Sequence, residues 1–284
     1  MTVYRRIPFL TFVVSPYRKA KINLSGCNFD CKGCFALAKQ EIGRAFSVEG
    51  LLDLLVKSCQ FLYGEMVDDV QFTGGEPTTD KDYLISSIKK LRKLNVKRIG
   101  FSTNGYLLDR SLVAELKFLD VNYIKLDIKA YTAKIHAGYT GKANTYVLRA
   151  LKLLHEYNLN FYARTIFTPP VIGFDEIEKI ARFLSTVDRT IAYKIYQFAP
   201  EQVDKKVSRA PTQEEMQMAY SIAKKYLDNV EFYTTETAYK PDRKYVEIWA
   251  DELLDRFKKI NKIAKSVIKD WHMEYFTMSQ ILNS

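Results

Sequence analysis

Three cysteines fall within one short stretch, Cys27-Asn28-Phe29-Asp30-Cys31-Lys32-Gly33-Cys34. Thiolates are soft donors that favour zinc and iron–sulfur clusters. A structural zinc takes four ligands, and three thiolates do not complete one. The fourth cysteine, Cys59, lies in an apolar helical pattern with Leu54, Leu55 and Leu62 and reads as a buried structural thiol. His136, His155 and His272 show no pairing at ligand spacing. A [4Fe–4S] cube suits the triad better: three cysteines hold three irons, and the fourth iron is left for N and O atoms of a substrate or cofactor. A secreted disulfide framework spreads an even number of cysteines along a short chain. Three thiols crowded into one loop point instead to metal ligation in a reducing, cytoplasmic compartment.

Other polar residues recur at the ends of apolar runs. Gln71-Phe72-Thr73-Gly74-Gly75-Glu76-Pro77-Thr78 closes one such run, and by itself would make a tight turn ended by Pro77. Ser102-Thr103-Asn104-Gly105 and Lys125-Leu126-Asp127-Ile128-Lys129 close two more. Arg164 lies inside another, and Tyr196-Gln197-Phe198-Ala199-Pro200 ends the last.

The elements that must position these residues alternate. Strands are expected at Ala20–Leu24, Asp69–Thr73, Arg98–Ser102, Tyr123–Asp127, Asn160–Phe167 and Ala192–Phe198. Helices are expected at Ser47–Tyr63, Asp80–Leu94, Asp109–Phe118, Thr145–Tyr157 and Asp175–Ser185. In the fourth helix Val147, Ala150, Leu151 and Leu154 recur at three- and four-residue steps. Strands alternating with such helices imply parallel pairing through right-handed crossovers. The fold class is therefore α/β, a partial (β/α)6-type barrel, whose functional residues gather at the C-terminal ends of the strands. Residues 1–204 form this core. Residues 205–284 read as a C-terminal helical extension: a helix at Thr212–Leu227, a possible strand at Val230–Thr235, and a long basic amphipathic helix from about Tyr245 to Lys269.

With 284 residues, 47% of them apolar and 27% charged, the chain can bury a sizeable core without long disorder. No run of about 18 uncharged apolar residues occurs, so no membrane partner is expected, and no signal peptide is read at the start. The 43 Lys and Arg against 33 Asp and Glu give a net charge of +10. A basic balance permits an acidic partner; the spread of the charges favours a solvated surface over a nucleic-acid stripe.

The cysteine triad and the Gly74-Gly75-Glu76-Pro77 turn, in this order, resemble the radical S-adenosylmethionine (SAM) enzymes. The resemblance implies a [4Fe–4S] cluster on Cys27, Cys31 and Cys34. Its open iron would chelate the amino and carboxylate groups of SAM, and an electron would then cleave the sulfonium to methionine and a 5′-deoxyadenosyl radical. Gly74 and Gly75 would let backbone approach the methionine moiety, and Glu76 would accept from its ammonium group. The residue before the third cysteine, usually aromatic, is Gly33 here, with Phe35 just beyond as the cofactor-binding aromatic.

From about Lys21 to Pro200 the layout is similar to the activating enzymes of glycyl-radical enzymes, especially over Asp127–Phe183 with Tyr139-Thr140-Gly141. That likeness implies that Lys129 and Arg164 face the methionine carboxylate and the sulfonium-side groups. Asp127 would bind the ribose or methionine region or a monovalent cation. Ser102 and Asn104 would sit at the ribose and carboxylate, and Gln197 near the adenosyl group. Two departures stand out. Ser102 takes the place of the family's first aspartate in D-T-N-G, and Thr11–Arg18 lacks the glycine-rich stretch found before the cluster. The implied function is a radical SAM oxidoreductase that abstracts hydrogen from a glycine of a partner glycyl-radical enzyme, with ferredoxin or flavodoxin as electron donor. The alternatives are radical modification of a small metabolite, a peptide or an RNA, and, last, a non-enzymatic iron–sulfur or zinc scaffold. Arg5–Lys21 and the final helix are the expected docking surfaces for a partner.

Overall fold

The computed structural model describes residues 3–34, 39–200, 207–238, 243–255 and 272–283. The chain divides into two compact units: residues 1–28, 37–101 and 239–284, and residues 29–36 and 102–238.

In the first unit, strands β1 (Tyr4–Ile7) and β4 (Arg44–Ser47) pair with each other antiparallel. The remaining strands are β2 (Phe9–Ser15), β3 (Lys19–Leu24), β5 (Asp69–Gly74), β6 (Arg98–Thr103), β11 (Lys244–Trp249) and β12 (His272–Thr277). They lie in the order β12-β11-β2-β3-β5-β6. β3, β5 and β6 run parallel, with Ala20 opposite Val70 and Val70 opposite Ile99. Two crossover helices supply the connections, α1 (Val48–Tyr63) and α2 (Lys81–Lys93). Each begins where a side chain can satisfy its first free N–H groups: Ser47 accepts from Gly50 and Asp80 from Tyr83. α1 ends at Gly64, whose φ of 74° closes the last turn. The inward stripe of α1 includes Leu51, Leu54, Leu55 and Cys59, all fully buried. Each buried leucine contributes about 1.5–3 kcal/mol.

In the second unit, β7 (Tyr123–Asp127), β8 (Phe161–Phe167), β9 (Tyr193–Gln197) and β10 (Val230–Tyr233) run parallel in that order. The helices are α3 (Arg110–Phe118), α4 (Ala133–Thr140), α5 (Thr145–Glu156), α6 (Phe174–Val187) and α7 (Gln213–Lys224), with a single turn α8 at Thr235–Ala238. The apolar stripe read from the sequence, Val147, Ala150, Leu151 and Leu154, is fully buried on α5. The expected extra strand is β10. The fold class is α/β with parallel strands, as expected.

Three features differ from the expectation. The stretch expected to open the long final helix at Tyr245 is strand: Lys244–Trp249 pairs antiparallel with β2 and parallel with β12. Residues 256–269 of that expected helix lie outside the described residues. The basic segment Arg5–Lys21, for which no strand was expected before Ala20, forms β1, β2 and the start of β3, with Leu10, Phe12 and Val13 buried. Helix α4 was not anticipated, because Ala-Lys-Ile-His-Ala-Gly-Tyr-Thr carries no apolar period.

Candidate active site

The first unit holds Cys27 and the Gly74–Glu76 turn. Leu24 ends β3 opposite Gly74 at the end of β5. Beyond that pair the two chains stay joined: Gly75 N donates to Leu24 O at 2.6 Å, and Glu76 N to Gly26 O at 2.9 Å. This closeness explains both glycines. Gly74 has φ 93°, and a Cβ there would strike the Leu24 carbonyl; a Cβ on Gly75 would strike the Gly26 carbonyl. The turn is thus packed against the loop that delivers Cys27, whose Sγ lies 3.8 Å from Asn28 Oδ1.

Glu76 is buried, 3% exposed. Its Oε1 accepts from Thr78 N at 3.0 Å and Thr78 Oγ1 at 2.7 Å, so the carboxylate is held in one orientation. Arg5, on β1, ties this turn to the cysteine loop. Its guanidinium donates to Ser25 O at 3.0 Å, Glu76 O at 3.5 Å and Thr79 Oγ1 at 2.6 Å. Burial lowers the Arg5 pKa, opposed by the charges of Asp80 and Glu76. The sequence reading missed Arg5 because no spacing rule links a strand at residue 5 to a turn at residue 76.

The second unit gathers Asp127, Lys129 and Arg164. Asp127 ends β7 directly opposite Arg164 on β8. Lys129 Nζ lies 2.9 Å from Asp127 Oδ2, and Arg164 Nε donates to Asp127 Oδ1. Burial alone pushes the Asp127 carboxyl up; the Arg164 guanidinium and the Lys129 ammonium outweigh it and hold the pKa at about 2. Burial likewise works against the charge on Lys129, but Asp127 and then Cys31 raise its pKa above the usual lysine value. Lys129 therefore lies within electrostatic reach of Cys31. Glu176 on α6, 1% exposed, fixes the segment after Lys129 by accepting from Tyr131 N at 2.7 Å and Thr132 N at 2.9 Å. Glu176 was not among the expected site residues; a carboxylate in the first turn of a helix reads as an ordinary helix-start residue, and nothing in the sequence links it to residues 131 and 132.

Ser102 and Asn104 are buried at the end of β6. Asn104 Oδ1 accepts from Tyr106 N at 3.0 Å and Thr103 Oγ1 from Gly105 N at 3.0 Å, forming a tight turn. Gln197 braces the unit. Its Nε2 donates to Pro211 O at 2.7 Å, and its Oε1 accepts from Thr235 N at 2.7 Å. Phe35 lies outside the described residues.

Cys31 and Cys34 sit on a loop docked against the end of α4. Asp30 N donates to Thr140 O at 2.8 Å and Lys32 N to Tyr139 O at 2.9 Å. Those carbonyls belong to the helix's last turn, where intrahelical partners run out. Cys34 N donates to Cys31 O at 3.3 Å. None of the four cysteines is in a disulfide. Cys59 is fully buried, and burial pushes its pKa to about 11, which keeps it an inert thiol.

The donor set fits the implied groups. Among the described residues no three His, Cys, Asp or Glu side chains gather around a single ion position. Three cysteines along one loop, none in a disulfide, suit a cluster in which each holds its own iron. In the first unit a buried carboxylate, Glu76, matches an ammonium; in the second, two partly buried cations, Lys129 and Arg164, match a carboxylate.

Residues 24–184, more than half of the chain, match the radical SAM superfamily. A protein of Methanocaldococcus jannaschii, named as a candidate glycyl-radical enzyme activating enzyme, is 32% identical over 225 residues, covering 78% of this chain and 83% of that protein. Among solved structures, a domain of a pyruvate-formate lyase-activating enzyme from Bacteroides vulgatus superposes with a TM-score of 0.51 at 20% identity, over 58% of this chain and 98% of that one. Streptococcus suis SuiB bound to S-adenosylmethionine superposes with a TM-score of 0.60 at 17% identity, over 73% of this chain and 48% of that one. The two structural likenesses establish the fold, a partial barrel. Among the described residues no helix is long and apolar enough to cross a membrane.

Proposed function

The chain belongs to the radical SAM superfamily, and on that premise we propose that its substrate is a backbone glycine of a partner protein, which it converts to a glycyl radical. It is a radical SAM enzyme that uses a [4Fe–4S] cluster and SAM. When bound, these groups would supply one-electron reductive cleavage of the sulfonium, with release of methionine, and hydrogen-atom abstraction from the glycine Cα.

The protein's own residues bind and orient. Cys27, Cys31 and Cys34 hold the cluster. Gly74 and Gly75 bring backbone close, and Glu76, fixed by Thr78, accepts from the ammonium of SAM. Lys129 and Arg164 face the methionine carboxylate and the sulfonium side. Asp127 holds both cations in place, since each donates to one of its two oxygens. Ser102 and Asn104 serve the ribose and carboxylate. Gln197 serves near the adenosyl group through the segments it braces. The electron comes from a small carrier such as ferredoxin or flavodoxin.

The observation that carries the glycine substrate is the 32% identity to a candidate activating enzyme across most of both chains. The test is anaerobic incubation with reductant, SAM and an extract of the source cells, followed by electron paramagnetic resonance. A persistent protein radical showing the splitting of a glycyl Cα–H is expected. A new low-molecular-weight product formed in step with 5′-deoxyadenosine, with no protein radical, overturns the glycine assignment while leaving the radical chemistry intact.

A further inference from the structure

We propose that Tyr139, on the last turn of α4, is the positioning residue that sets the loop carrying Cys31 and Cys34, and that Gly33 is glycine because Tyr139 occupies its side-chain space. The proposal rests on the assignment of these cysteines as cluster ligands. It concerns how the loop is held, not which chemistry follows.

Gly33 stands between the two thiols. A Cβ built on it would overlap the Tyr139 hydroxyl and come within 3.0 Å of Phe198 Cε2. Gly33 has a negative φ, so no backbone strain demands glycine there. The demand is spatial, and it comes from one aromatic side chain on another element.

Neither partner can easily withdraw. The loop is anchored by Lys32 N to Tyr139 O at 2.9 Å and Asp30 N to Thr140 O at 2.8 Å. Its own turn is closed by Cys34 N to Cys31 O at 3.3 Å. On the other side, Tyr139 is 4% exposed, so its ring is packed against the surrounding core. Phe198 is 2% exposed. α4 itself is fixed beneath the loop: His136 Nδ1 is 2.8 Å from Lys142 O, and the His136 ring packs edge-on against Phe29 at 5.6 Å. Tyr139 therefore touches the loop twice, through its carbonyl at Lys32 and its hydroxyl at Gly33. Close-packed interiors do not absorb an added group without moving backbone. A side chain at position 33 would push the loop off α4 and change the separation of the Cys31 and Cys34 thiols.

The lock predicts reciprocity. An aromatic on the loop and an aromatic on the helix exclude each other, so relocating the ring should be tolerated where adding one is not. Four variants are reconstituted anaerobically with iron and sulfide: Gly33→Phe, Tyr139→Ala, Tyr139→Phe and the double variant Gly33→Phe/Tyr139→Ala. Iron and sulfide per chain, the electron paramagnetic resonance spectrum of the reduced cluster with and without SAM, and the melting temperature are measured. Gly33→Phe and Tyr139→Ala should each lose at least threefold in bound iron and lose the SAM-dependent spectral change. Tyr139→Phe should hold wild-type iron, because the ring volume remains. The double variant should recover at least half of wild-type iron and the SAM-dependent change. Gly33→Phe with wild-type iron and spectrum overturns the proposal. So does a double variant no better than the singles while its melting temperature matches the wild type. Wild-type protein that takes up no cluster instead overturns the ligand assignment itself.

Discussion

Asp127 carries two cations on two oxygens, and that arrangement decides what its removal does. Lys129 and Arg164 are both partly buried at the strand ends, and Asp127 supplies the negative charge that each of them contacts. Asp127→Asn leaves two like charges side by side without that partner, and juxtaposed like charges cost on the order of a few kcal/mol. SAM affinity should fall at least 30-fold in Asp127→Asn, measured by equilibrium binding to the reconstituted protein. Unchanged affinity would place SAM away from this triad. The pH dependence follows from the depressed carboxyl. Its pairing contributes stability fully above the unfolded value near 3.8, and that contribution is lost as pH falls towards about 2. Between pH 5 and 9, therefore, Asp127 should impose no titration on SAM binding. A second residue-scale prediction separates the four thiols. Replacing Cys27, Cys31 or Cys34 by Ala should abolish the brown cluster and its iron, whereas Cys59→Ala should retain roughly four irons per chain. Loss of the cluster in Cys59→Ala, with an unchanged melting temperature, would contradict that division. The cysteine loop and the Gly74–Glu76 turn were legible because each is contiguous in sequence. Arg5, Glu176 and the Gly33–Tyr139 contact were not, because each couples residues far apart along the chain through space alone.

At the scale of elements, β11 shows how a helix reading fails. Trp249, Leu253 and Phe257 recur at four-residue steps and suggest a helix, yet Lys-Tyr-Val-Glu-Ile-Trp is rich in the β-branched and aromatic residues that favour strands. The tie is broken by tertiary pairing: β2 offers a free edge, and Val246 and Ile248 bury against the core beside Phe12 and Leu10. The alternate positions turn Glu247 to the other face. There Trp249 Nε1 donates to Glu247 Oε2 at 3.0 Å and Thr11 Oγ1 to Oε1 at 3.5 Å. Burial drives the Glu247 pKa up to about 7, with Trp249, Lys21 and Thr11 opposing it only in part. The folded state thus prefers the protonated form. Its stabilising effect is complete below the unfolded value near 4.5 and is lost as pH rises through about 7. Glu247→Gln keeps the shape and removes the titration. The stability of the wild type relative to this variant should fall by about 3 kcal/mol between pH 4.5 and pH 8, read from urea unfolding at each pH. Parallel pH profiles for the two proteins would show that Glu247 is not desolvated. By contrast, β3, β5, β6, β7, β8 and β9 all fall within a residue or two of their expected bounds, since alternating strand and helix patterns with side-chain caps are local signals.

The whole molecule carries ten more positive than negative charges. Net charge does not choose the fold, but it governs encounter. A small, tightly bound cofactor meets its site at close range, where salt screens little. A macromolecular partner approaches over distances comparable with the screening length, about 8 Å at 0.15 M salt, and its association responds strongly to salt. The two processes can therefore be separated in one assay. Radical transfer to a glycine of an acidic partner should slow at least tenfold between 50 and 500 mM sodium chloride, followed by the protein-radical signal. Partner-independent cleavage of SAM, followed by 5′-deoxyadenosine in the same tubes, should change by less than twofold. If both rates fall together, the salt acts on the enzyme's own site and charge steering of a partner is refuted. If neither falls, the positive surface has no part in recognition, and docking must depend on apolar contacts instead.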